Sequence, residues 1–415
     1  MKHRQKLLAL AALLAAALTT HAQTWQVLAP TSTFTPAGTG VSVLIDPFSE
    51  PANSGVFLAT TAHLAAPATI YRLTPDAGFN SFVYEAVDVG GFNNLNHLGY
   101  NALDGTPNGT LYAVGQVRVV VRNQNYGVWK VRKSLAGGEP GTWGDDDTFA
   151  LSSKADAHAR GFTSDAKGNA FVCGSAGANT KGDTNPHWIV RRKTPTGAFA
   201  TVSDIKTTVA VGASAEAMCA LPGDGISPTV VFAVGHVGYK WNVMRSQQSG
   251  AAGTWFPAGA STWPAARSLA VATDAAYRNG IVYVVGYYDG GYALGCIVQT
   301  SNDGGNTWQT LLDENSDLPT EKWRIAIDSV GRATLAGVIR NRDGTNPRWI
   351  VVRPGDPQNT TSWQTGYANP LVHPFSGSHG DRARGIAADP SGNVFIGGYV
   401  NWNGFSGAGL LRLVP

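Results

Sequence analysis

Cysteine is scarce: Cys173, Cys219 and Cys296 are the only three in 415 residues, an odd number, each inside an apolar run (AFVCG, AMCAL, LGCIV). A disulfide framework is therefore excluded, and buried thiols acting as small hydrophobes are expected, with one cross-strand pair left open. Charge is also sparse, at 14% of residues, and the net charge of +3 comes without a lysine or arginine run. Neither a nucleic-acid footprint nor a polybasic membrane patch is expected. No apolar stretch reaches the ~20 residues that a membrane span needs. The longest lies in residues 1–22 (MKHRQKLLALAALLAAALTTHA), after Lys2, Arg4 and Lys6 and before the small residues Thr20 and Ala22. That pattern is a secretory signal peptide cut ahead of Gln23. With no cysteine after the cut, a secreted or periplasmic, monomeric protein without a lipid anchor is the expectation.

What the chain does have is glycine, 50 residues of it, with 43% hydrophobic residues, a composition of turns and buried strands that rules out intrinsic disorder. The glycines fall in a repeat. The segments ARGFTSDAKGNAFVCG (159–174), ARSLAVATDAAYRNGIVYVVG (266–286), WRIAIDSVGRATLAGV (323–338) and ARGIAADPSGNVFIGG (383–398) each hold an apolar strand, a Gly/Asp/Asn turn and a second strand ending in glycine. A third strand follows (TNPHWIVRR, YKWNVMRS, ALGCIVQTS, TNPRWIVVRP), and then a fourth that carries tryptophan at Trp143, Trp255, Trp308 and Trp363.

The end of the second strand falls at Thr60, Gly115, Gly174, Gly235, Gly286, Gly337 and Gly398, at intervals of 51 to 61 residues. Seven units of four short antiparallel strands, without helical periodicity, predict an all-β, seven-bladed β-propeller as a single domain over residues 23–415. The last unit stops after a third strand, GAGLLRLVP, while the segment after the leader opens with QTWQVLAP at 23–30. The N-terminal strand is expected to complete the last blade and close the ring, which removes two open sheet edges.

Residues 301–308, SNDGGNTW, match S-x-D-x-G-x-T-W, and the chain resembles the sialidase-type propellers that carry this Asp-box (the BNR-like repeat). GGEPGTW, QSGAAGTW and PQNTTSW look like eroded copies, and DAKGNAFVCG and DPSGNVFIGG resemble the seven-bladed repeat units of exported bacterial propellers. The resemblance covers essentially all of residues 23–415. It implies a propeller in which this turn is structural and lies away from the ligand face, with Asp303 accepting backbone N–H bonds, Gly305 supplying an unusual backbone conformation and Trp308 packing between blades. A sialidase also carries an arginine triad, a Tyr/Glu nucleophile pair, an acidic Asp and an F/Y-R-I-P motif. Only YRLTP (71–75) comes near that motif, with an extra threonine and on a third strand, so no catalytic role is carried onto Arg72.

Function has to come from residues that the repeat leaves unexplained. In a propeller, the loops entering each first strand and those joining strands two and three open on one face, around the central channel. Nine of the twelve tryptophans sit on third or fourth strands, and Trp263, Trp323 and Trp402 remain as candidate stacking surfaces at that mouth. His97, His158, Arg160, Glu216, Arg267, Glu321, His379, Asp381 and Arg384 map to loops entering the blades, and His236, Tyr287, Asp289 and Tyr399 map to the second loop class. Arg160, Arg267 and Arg384 share one repeat position, where they either clamp a carboxylate or sulfate or pair with an acid of a neighbouring blade.

The histidines show no His-x-His or His-Glu-x-x-His spacing, so no metal is expected, and no nucleophile elbow, phosphate loop, dinucleotide fingerprint or calcium loop points to a cofactor. GDDDT (144–148) is read as a solvated turn, with divalent-cation binding as its sharper alternative. Three functions stay open: binding of a glycan or other extended polar ligand at the channel mouth, hydrolysis or lyase cleavage of an acidic sugar there, or a scaffold for another protein. Carboxylate pairs for hydrolysis are available among Glu216, Asp289, Glu321 and Asp381, with separations that the sequence does not give.

Overall fold

The computed structural model describes residues 24–29, 39–45, 56–61, 67–75, 82–100, 109–178, 183–221, 223, 226–259, 270–289, 294–314, 320–339, 348–368, 371–372, 382–389, 391–402 and 405–414, so the leader lies outside the described residues. They form seven four-stranded antiparallel sheets, each built from strands consecutive in the chain except the last. That sheet takes its outer strand, Thr24–Ala29, from the N-terminus, paired with Phe405–Val414 so that Trp25 faces Leu413 and Ala29 faces Leu410. The first strands of successive blades contact one another, and blade 7 contacts blade 1, so the ring is closed around an axis.

The repeated glycine has a physical reason. In six inner strands the ladder slips by one residue, as between Ala159 and Gly161, which leaves Arg160 as an extra residue; in blade 6 the slip spans Lys322 and Trp323. A bulge of this kind bends the strand and re-aims a side chain. It also pushes backbone against the second strand: a Cβ placed at Gly115, Gly174, Gly235 or Gly286 would lie 1.9 to 2.1 Å from a carbonyl oxygen of the inner strand. Only glycine fits there. These glycines lie within the second strands, which run on past them (Leu111–Val121, Ala170–Gly177, Ile281–Asp289), and do not end them as the sequence had suggested.

Third-strand tryptophans fill the blade interfaces. Trp129, Trp188 and Trp241 are buried and pack onto Gly174, Gly235 and Gly286 of the following blade. Blade 5 carries Cys296 at that place, paired with Tyr287 as Trp188 is with Ser175. Trp323 of blade 6 fills the gap from the other side: it is 0% exposed and lies 2.6 Å from where a Gly337 Cβ would be. All three cysteines are free and buried, and burial pushes each thiol well above its ordinary range.

The turn 301–307 is closed by side chains. Asp303 accepts backbone N–H bonds from Asn306 (2.9 Å) and Thr307 (3.0 Å) and the Thr307 hydroxyl (2.6 Å), and these bonds hold its carboxyl well below the usual carboxylate range. Ser301 Oγ accepts from Gly305 N, and the same serine-to-glycine bond recurs at Ser134–Gly138 and Ser246–Gly250. There the carbonyls of Glu139 and Ala251 take the threonine hydroxyl in place of a carboxylate.

Two local readings are corrected. GDDDT belongs to the outer strand Trp143–Phe149 of blade 2, with Asp145 paired to Lys130 and Arg132, Asp146 to Lys133 and Lys193, and Asp147 to Arg191. The run therefore ties blade 2 to the basic third strand of blade 3, a long-range match that no local pattern reveals. Trp363 sits in a helix, Thr360–Ala368, and the outer strand of blade 6 shrinks to Leu371–Val372.

Candidate functional site

The bulges converge. Asn96, Arg160, Glu216, Thr273 and Arg384, the extra residues of blades 2, 3, 4, 5 and 7, line an axial cavity of about 260 Å³ together with Arg324 of blade 6. His236, Tyr287 and Val271 form its mouth, at the end where the inner strands begin. These side chains sit inside the strands and not in the loops entering them, because a bulge lets a strand residue face the axis without breaking the sheet.

Contacts around the axis link blade 2 to 3, 3 to 4, 5 to 6 and 6 to 7. Asn96 Nδ2 donates to the Ala159 carbonyl (2.6 Å), Arg160 meets Glu216 (3.3 Å), Thr273 Oγ1 donates to the Trp323 carbonyl (2.6 Å), and Arg324 Nε donates to the Arg384 carbonyl (3.0 Å). Arg324 also donates to the Thr273 carbonyl, so its hydrogen-bond partners are neutral oxygens. Burial pushes the Glu216 carboxyl up, but the Arg160 charge, the nearby Ser214 hydroxyl and the His236 and Arg324 charges prevail and hold it below its ordinary value. Three guanidiniums against one ionised carboxylate leave the lining two positive charges in excess, histidine not counted.

Beneath lies a smaller space lined by His97 and Asp274 among others. Burial, helped by the Arg324 charge, depresses the His97 imidazole to about 4, and its Nδ1 is buried with no hydrogen-bond partner among the described residues. Burial raises the Asp274 carboxyl, against Arg324 and two backbone N–H bonds from Ile325 and Ala275. Among the described residues no cluster of His, Cys, Asp or Glu is arranged to hold a metal ion.

Of the residues singled out in the sequence, Arg160, Glu216, His236, Tyr287 and Arg384 share the axial cavity and His97 lies just below it. His158 is half-buried on the inner strand of blade 3, its imidazole lowered by burial and by Arg160. Tyr399 is half-buried, and its carbonyl accepts from Trp349 Nε1. Trp323 is wall, not mouth, and presents no surface to a ligand. Asp289, Glu321 and Trp402 lie on strands, at Ile281–Asp289, Thr320–Ile327 and Val394–Trp402, with their side chains outside what is described. Trp263, Arg267, His379 and Asp381 lie outside the described residues.

Asn96, Thr273 and Arg324 escaped the sequence reading. In WRIAI, Arg324 stands at the repeat position of Arg160 and Arg384, but the tryptophan before it drew attention instead. In blade 5 the channel position is Thr273, two residues after Val271, whose carbonyl crowds Gly286; aligning forward from ARS pointed to Arg267. Counting back from the glycine recovers Thr273. Arg72 is tied to Glu85 (2.6 Å) and Glu139, away from the axis.

The fold and this cavity define a seven-bladed propeller with a cationic axial site. No protein-family model and no curated protein matches the chain. Among solved structures it is similar to a protein of unknown function from Dyadobacter fermentans, at 11% identity over 94% of this chain and 98% of that one, with a TM-score of 0.51. The phage phi92 endosialidase aligns at 10% identity over 94% of this chain and 69% of that one (TM-score 0.49), and the Trypanosoma rangeli sialidase in complex with sialic acid at 12% over 80% and 56% (TM-score 0.40). At these identities the first likeness concerns the fold alone, and the other two carry no argument about activity.

Proposed function

We propose that the protein is an exported propeller that binds a carboxylate-bearing sugar of an acidic glycan in the axial cavity. One observation carries the reading: Arg160, Arg324 and Arg384 come from three different blades into one cavity whose lining is net positive. Guanidinium recognises carboxylate through paired, charge-assisted hydrogen bonds, and Asn96, Thr273 and Tyr287 offer neutral polar contacts for ring hydroxyls. The volume of about 260 Å³ suits one sugar unit and not a run of several. The leader in residues 1–22 supports export, and no helix among the described residues is long and apolar enough to cross a membrane. Residues 301–308 are read as an Asp-box, a turn on the face opposite the cavity.

Isothermal titration with galacturonate and glucuronate against galactose and glucose tests the reading. The uronates should bind, and Arg384→Gln or Arg160→Gln should weaken them by about tenfold or more, the scale of one lost charged hydrogen bond. Equal binding of galactose and galacturonate would overturn it.

A hydrolase or lyase acting on the same acidic sugar is the second reading. It is favoured by Glu216, Tyr287 and His236 lining the cavity, where His236 Nδ1 donates to the Gly238 carbonyl and leaves Nε2 free to accept a proton. New reducing ends or unsaturated uronate absorbance from polygalacturonate would establish it, and their absence would leave binding alone.

A further inference from the structure

A second cavity, of about 320 Å³, lies between blades 5 and 6 on the opposite face, among the turns that join strands one to two and three to four. At three other blade interfaces this place is filled. An aromatic ring three residues before the second-strand glycine position is capped by the next blade's turn: Phe57 by Gly138, Phe171 by Gly250 and Phe232 by Gly305, so close that a Cβ on those glycines would lie 2.9, 2.3 and 2.6 Å from the ring. Tyr283 is the equivalent residue of blade 5. The turn that should cap it reads PGDPQNTTSW, without the serine-to-glycine bond, and the chain leaves it as the helix Thr360–Ala368, where Trp363 Nε1 donates to the Pro357 carbonyl (2.8 Å). No glycine of that turn lies against this ring, and it carries a hydroxyl where the three capped rings are phenylalanine; Tyr112 of blade 2 is another tyrosine at this position.

That hydroxyl belongs to a side chain only 2% exposed, lines the cavity and makes no hydrogen bond among the described residues. Burial, and then the Asp356 charge, keep the phenol protonated and able to donate. The walls are mixed: Ile281, Ile327 and Val330 are aliphatic, while Arg278, Asp356 and Gln358 bring donors and acceptors. Arg278 and Asp356 balance, and Arg332, the remaining charge of the lining, is paired with Asp328 (2.5 Å) just outside it, so the seam and this neighbour together carry no net charge. A hydroxyl on a cavity wall that no protein group meets is open to water or to a ligand hydroxyl.

We propose that this seam is a second binding site, for a neutral sugar unit, with the C–H face of the ring on Ile281, Ile327 and Val330 and a hydroxyl on Tyr283. The site does not depend on the reading of the axial cavity. Saturation-transfer NMR titrations of the whole protein with methyl glucoside, galactoside, mannoside and xyloside test it. At least one should bind, and Tyr283→Phe, which restores the ring found at the three capped seams, should weaken it by about fivefold or more with the melting temperature unchanged. Val330→Trp, which fills the cavity, should abolish it. Failure of all four glycosides to bind, binding unchanged in Tyr283→Phe, or equal binding of methyl glucuronide at Tyr283 would each overturn the proposal.

Discussion

The axial cavity and the seam between blades 5 and 6 arise in opposite ways. The axial cavity is the product of repetition: nearly the same bulge recurs in seven inner strands, and what differs between blades is the side chain it turns inward. The seam is the product of a departure, one turn rebuilt as a helix over a ring that three other interfaces cap. Regular irregularity gives a site on the symmetry axis, with charge set residue by residue. A single broken copy gives one at the periphery, with a polar group left on the cavity wall by what is missing.

The largest test of this contrast concerns glycine. Gly174→Ala would set a Cβ 1.9 Å from the His158 carbonyl oxygen, whereas at Gly355 the nearest atom, Ser362 Oγ, is 3.5 Å away. Chemical denaturation should show a loss of about 3 kcal/mol or more for the first and within about 0.5 kcal/mol for the second. Similar values for both would break the link between bulge and glycine.

Acid should act on the axis and spare the seam, whose lining holds no histidine. His97 titrates near 6.5 when unfolded and at about 4 when folded, so the unfolded chain binds the extra proton. Stability attached to this group is complete above 6.5 and lost as the pH falls toward 4, by at most about 3 kcal/mol. His97→Gln should flatten the stability profile across that window, and an unchanged profile would show that the imidazole is not held neutral in the ring.

The smallest effect is expected at the capped seam between blades 4 and 5. Asp303→Ala removes the acceptor for Asn306 and Thr307 while leaving the Ser301–Gly305 bond, and should cost about 1 kcal/mol by thermal unfolding. No loss would mean that the serine, glycine and threonine close the turn alone, as at Ser134 and Ser246.

The ring was legible because its punctuation is local: a turn residue set, a glycine and a tryptophan recur with each unit, and the unpaired ends announced each other. The bulge was not legible, since one extra residue leaves no mark on composition and shows only when strand two is counted against strand one. Trp323 was misplaced for a related reason. Its burial follows from Cys296 standing where other blades have tryptophan, a vacancy in the neighbouring unit that a residue-by-residue reading passes over. GDDDT likewise waits on Lys193 and Arg191 of the next blade. Trp263, Arg267 and His379, which the sequence reading assigned to the mouth, lie outside the described residues, so the site rests on what the inner strands carry.

A crystal structure of the protein soaked in galacturonate tests the central claim most directly. The sugar carboxylate is expected on the propeller axis, its oxygens about 2.7–2.9 Å from guanidinium nitrogens among Arg160, Arg324 and Arg384. Galacturonate bound away from the axis, or an axial cavity holding water alone at saturating sugar, would contradict it.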